Sequence, residues 1–96
     1  MSKRRITKIH LTGGEWHEHI EKMIWNDPDT PDKHIESTRG QMVDFVNSNP
    51  KGSAYVYDVP TKTRVSVGVV KATPPYVRTY ADGEWQDNLL SLERYL

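Results

Sequence analysis

Glycine and proline cut this 96-residue chain into short pieces. Gly13-Gly14, Pro28 with Pro31, Pro50 with Gly52, Pro60, Pro74-Pro75 and Gly83 recur along its whole length. Glycine reaches positive φ at little cost and proline lacks a backbone donor, so each cluster marks a turn or a break. What lies between must be built from short elements. Such a length is that of one domain, taken as 1–96.

Most of the pieces alternate. Arg5–Leu11 (RITKIHL) places Thr7, Ile9 and Leu11 on one side and Ile6, Lys8 and His10 on the other, the period of a strand. Glu15–Asn26 is ambiguous, because Ile20, Met23 and Ile24 fit a helix while Ile20, Lys22 and Ile24 fit a strand. A loop over Glu15–His17 and a strand from His19 to Trp25 suit the preceding Gly-Gly better. Asn26–Ile35 (NDPDTPDKHI), rich in proline and acid, reads as an exposed loop, with Asp27, Asp29 and Asp32 as turn and solubility residues.

Ser37–Asn47 is the clearest helix. Thr38-x-x-Gln41 fits a capping box, and Met42, Val43, Phe45 and Val46 form one apolar stripe. Strands then follow at Ala54–Val59, Arg64–Lys71 and Tyr76–Tyr80, with a brief return at Glu84–Gln86. Gly68 within its strand suggests a bulge or a close approach. Leu89, Leu90 and Leu92 read as a tail docked on the core, and Asn88 as the residue that fastens it. The expected fold is α+β, in the order β-β-α-β-β-β. It is a small antiparallel sheet of about five strands, with one helix on one face and a short C-terminal tail. One helix covers one face. The other is left to solvent, the tail or a partner.

Three stretches together resemble the bacterial and phage "domain of unknown function 3892" proteins. They are Arg5-Ile6-Thr7-Lys8-Ile9, then Gly13-Gly14 with His17-Glu18-His19-Ile20, then Tyr76-Val77-Arg78-Thr79 with Asp82-Gly83 and Asn88-Leu89-x-x-Leu92. Each is short, but in order they span nearly the whole chain. The resemblance implies a domain boundary and no activity. Some relatives look as though they carry a CxxC pair before the YxRT-like strand. Here that place is Ala72-Thr73-Pro74-Pro75, so the likeness implies no metal knuckle.

Composition narrows the chemistry. There is no cysteine, which excludes disulfides, thiolate metal sites and Cys nucleophiles. An unstapled chain of this size is expected in the cytoplasm. The start, Met1-Ser2-Lys3-Arg4-Arg5, lacks the apolar stretch of a signal peptide, and no apolar run suits a membrane span. Net charge is zero, which argues against duplex nucleic acid. Lys3, Arg4, Arg5 and Lys8 read as a solvated strand start.

No hydrolase elbow, zincin motif or P-loop is present, so catalytic residues and cofactors are not expected and an enzyme is the weaker reading. His17 and His19 share a direction on an extended segment, and His10 on a neighbouring strand is a third metal candidate. A structural role, capping or hydrogen-bonding the Gly-Gly loop, is the stronger reading of His17 and His19.

The surface of most interest is aromatic and basic. Tyr76, Arg78 and Tyr80 share one side of their strand, Tyr55 and Tyr57 share one side of theirs, and Trp85 follows. Such residues stack bases and contact phosphate, and they also line interfaces and second cores. Arg39 sits at the helix start, where the dipole disfavours a cation; an anion or partner carboxylate nearby would explain it, and so would plain exposure. The function expected is a non-enzymatic binding or interaction module, self-associating, using the helix-free face. The alternatives are capture of a small anionic ligand such as a nucleotide, and a metal enzyme built on the three histidines.

Overall fold

The computed structural model describes residues 3–81 and 83–95. Within them the chain runs β1 (Arg4–Leu11), β2 (Ile20–Asp27), β3 (Thr30–Thr38), α1 (Arg39–Ser48), β4 (Ala54–Asp58), β5 (Thr63–Val70), β6 (Tyr76–Ala81), β7 (Glu84–Gln86) and β8 (Glu93–Arg94). Short 3-10 turns occupy His17–His19 and Asn88–Ser91. The strand order is β3-β2-β1-β4-β5-β6-β7, with β8 also against β1. Pairing is antiparallel except where β1 meets β4 and β8, which are parallel to it. The second edge of β1 is therefore shared, Arg4 and Arg5 pairing with β4, and Lys8 and Ile9 with β8.

The α+β class and the single helix hold, but the sheet has eight strands rather than about five. The segment read as a loop is a tight turn at Pro28-Asp29 followed by β3. The Asp29 N–H donates to the Asp27 carboxylate at 2.9 Å, closing the turn. Strand β3 is an outer edge, where Pro31 costs no ladder bond and polar side chains meet water. The C-terminal tail docks as expected, with Leu89 fully buried, and then adds β8.

Two bulges set which residues face inward. Ile6 pairs with Trp25 and Lys8 with Ile24, so Thr7 is an extra residue in β1. His10 pairs with Lys22 and Leu11 with Ile20, so Glu21 is extra in β2. A bulge advances the side-chain phase by one. Ile6 therefore joins Ile9 in the core, and Ile20 joins Met23 and Trp25. The strict alternation expected for β1 fails at Ile6 and Thr7 for this reason.

Helix α1 begins as the sequence predicts. Thr38 is its N-cap, the Gln41 N–H donates to the Thr38 hydroxyl at 3.2 Å, and the Thr38 N–H donates to the Gln41 side chain at 2.9 Å. Met42 and Val43 enter the core beside Ile6, Met23, Val67 and Val77. Among the described residues no helix is long and apolar enough to cross a membrane.

Candidate binding face

Strand register carries the aromatic residues to one side. Tyr55 pairs with Arg5 on β1 and Ser66 on β5, and Tyr57 pairs with Arg64. Along β5 the next positions of that phase, Gly68 and Val70, pair with Arg78 and Tyr76, and Tyr80 pairs with Trp85. Val67, Val77 and Thr79 have the opposite phase and are buried, two of them against the helix-bearing core. Tyr55, Tyr57, Tyr76, Arg78, Tyr80 and Trp85 thus share the face that α1 leaves uncovered.

They form three groups on that face. In the first, the Arg5 guanidinium lies over Tyr57 at 5.1 Å from the ring centroid, and the Arg64 guanidinium over Tyr55 at 4.8 Å. Each arginine stacks on the ring diagonal to its own register partner, which leaves Tyr55 buried. In the second, Tyr80 and Trp85 meet edge to face, centroids 5.0 Å apart at 73°. Lys51, from the turn after α1, holds its ammonium 5.8 Å from the Tyr80 centroid. Ser66, Val67, Gly68 and Val69 complete a groove of about 570 Å³ there.

The third group centres on Arg78. Its Nε donates to the Gln86 carbonyl at 3.1 Å and its Nη2 to Asp87 Oδ1 at 2.6 Å. The guanidinium also lies 5.8 Å from the Trp16 ring centroid. Arg78 is thus a strut between β6 and the segment that follows β7, with its charge met by Asp87. Beside it the Thr79 hydroxyl donates to the Gln86 carbonyl at 2.9 Å and accepts the Asn88 N–H at 3.2 Å. Asn88 fastens the tail, as its sequence suggests.

Arg39 is not on this face. It lines a polar cleft with Thr12, Glu18, His19, Glu21 and Thr38. Its guanidinium donates to the Glu18 carbonyl. The group it meets is thus a backbone oxygen of the chain itself and not the anion or partner carboxylate that its place at the helix start suggests. Glu21 accepts the Thr12 hydroxyl, which together with its cationic neighbours holds its carboxyl below the usual range.

The histidines separate. His10 Nδ1 bonds the Tyr95 carbonyl at 2.8 Å. The His19 ring packs on Gly14, where any Cβ would overlap it. His17 is fully buried, its ring edge-on to Trp16 at 5.3 Å, and neither ring nitrogen has a hydrogen-bond partner among the described residues. The His17 ring thus neither caps nor hydrogen-bonds the Gly-Gly loop as expected, because its turn carries it inward. Asp87 Oδ1 lies 3.8 Å from its Nε2. Burial foremost, then the Arg78 charge, push the imidazole pKa down, while Asp87 and Glu18 pull it up. Among the described residues no group of three His, Asp or Glu side chains is placed to hold a metal.

The basic N-terminal cluster is solvated only in part: Lys3 is exposed and Lys8 keeps a surface side chain, whereas the two arginines pack on rings. Arg4 lies between the Trp25 and Phe45 rings, at 4.1 and 3.9 Å from their centroids, Arg5 stacks on Tyr57, and Lys8 pairs with Glu93 at 3.1 Å. Sequence reasoning missed Lys51, which reaches Tyr80 from a turn remote in sequence. It anticipated Gly68 as a close approach, and Trp85 is what approaches it.

A model of the protein family described as a protein of unknown function, DUF3892, matches residues 5–93. The chain belongs to the DUF3892 family. The match to this family contains every residue of the aromatic face. No curated protein and no solved structure matches the chain.

Proposed function

We propose that this DUF3892 chain is a non-enzymatic binding module that makes its contacts through the helix-free sheet face. The observation that carries this reading is the Tyr80–Trp85 pair, with Trp85 exposed beside a groove. Amphipathic aromatics on an open sheet supply large contact area at low entropic cost. The His17 imidazole, fully buried with its ring edge-on to Trp16, is closed to a substrate arriving from solvent. The lack of cysteine favours the cytoplasm as its place of work.

Self-association is a second reading, favoured by the exposure of Trp16 and Val59 as well as Trp85. Arg78→Ala and Tyr80→Ala test the assignment. Sedimentation velocity reads the oligomeric state, and native mass spectrometry after incubation with mixed nucleotides reads bound adducts. Loss of either property in the Tyr80 variant supports this surface. Two variants that match the wild type in both contradict it.

A further inference from the structure

We propose that the groove bounded by Tyr80, Trp85 and Lys51 takes a planar aromatic anion of the nucleoside monophosphate class. The proposal rests on the reading of this face as a binding surface and names its ligand.

The glycine makes the shape. A Cβ on Gly68 would lie 3.3 Å from Cζ3 of Trp85, so a side chain there would crowd the indole. The bare residue lets the indole lie against β5. Val67 and Val69 flank this stretch of β5, and Tyr80 meets the indole at 73°. At about 570 Å³ the groove falls in the range of roughly 300–1,000 Å³ typical of small-molecule sites. The groove's two aromatic rings, over a bare glycine, suit a flat ring system, which stacks on them whatever its substituents.

The charge gives the second half of the ligand. Among the described residues Lys51 is the one formally charged residue lining the groove, and there it makes no ion pair. Its ammonium lies over the Tyr80 ring at 5.8 Å from the centroid, so a cation lines the same groove as the Trp85 indole, the pairing of charge and ring that a base with an attached phosphate requires. Arg78 lies on the same face but is committed to Asp87. Ser66, at the Lys51 end of the strand, adds a hydroxyl. A free nucleotide and a single strand share this chemistry. The zero net charge favours the free nucleotide, since a polymer needs a longer cationic track.

Isothermal titration of the full chain with AMP, adenosine, inorganic phosphate and a short thymidine oligonucleotide decides the matter. AMP is expected to bind one to one, and phosphate alone is expected to show no saturable heat. Lys51→Gln should weaken AMP by about tenfold and leave adenosine unchanged. Trp85→Ala should remove both, with unfolding of the variant confirming that it folds. No saturable AMP binding, or AMP binding indifferent to Lys51→Gln, overturns the proposal. An oligonucleotide more than about tenfold tighter than AMP reassigns the groove to a single strand and also overturns it. If AMP fails while Tyr80→Ala still changes the oligomeric state, the binding face stands and only its ligand is wrong.

Discussion

A Cβ built on Gly68 would lie 3.3 Å from Cζ3 of Trp85, which makes the placement of the indole conditional on a glycine two strands away. Gly68→Val should therefore displace Trp85 and disturb the groove without unfolding the sheet. Valine improves strand propensity, so stability should change by less than about 1 kcal/mol. Oxidative footprinting by mass spectrometry should show Trp85 more reactive and Trp25 unchanged. Unchanged reactivity of Trp85 would mean that the glycine does not control it.

The buried His17 makes stability depend on pH. Its folded pKa is lowered, so below the ordinary value of about 6.5 the unfolded chain binds a proton that the folded chain resists. Stability contributed by the neutral ring is full above that pH and is lost as pH falls towards the folded value. His17→Leu removes the titration and the two unpaired ring nitrogens, and should stabilise the fold by roughly 1–3 kcal/mol. Urea unfolding at pH 7.5 and pH 5.5 checks this: the wild type should lose stability between them by more than the variant. Equal losses would show that His17 carries no pH dependence.

Arg4 is held between Trp25 and Phe45, joining β1, β2 and α1 on the helix-bearing face. Two cation–π contacts at a partly buried guanidinium imply a loss of roughly 1–3 kcal/mol for Arg4→Ala. Arg4→Met should recover part of this through the packing of its stem. Thermal unfolding of both variants measures it. An Arg4→Ala variant as stable as the wild type would place Arg4 among the solvated charges after all.

The capping box predicts a smaller effect. Thr38→Ala removes the acceptor of the Gln41 N–H and should cost about 1 kcal/mol. Denaturant titration should detect the shift, and Thr38→Ser should restore most of it.

What was legible in the sequence follows from local periodicity. Thr38 and Gln41 announce the helix because a cap is a contact between near neighbours. Tyr76, Arg78 and Tyr80 announce a shared face because β6 alternates without interruption. Strand β3 was illegible because nearly all of it is exposed, so no buried phase marks it. The bulges at Thr7 and Glu21 reverse the phase midway, and only the pairing partner reveals them. Lys51 joins the groove through tertiary packing, and His17 is turned inward by a 3-10 turn whose composition gives no such sign.

The three tryptophans allow the central claim to be tested in one titration. Trp25 is buried with its Nε1 donating to Ser37 at 2.7 Å, Trp16 is exposed beside His17, and Trp85 borders the groove. In nitrogen-15 spectra recorded during addition of AMP, the Trp85 indole resonance should shift and saturate while those of Trp16 and Trp25 stay in place. A Trp85 resonance that does not move at saturating AMP, or equal movement of all three, would mean that AMP does not occupy this groove.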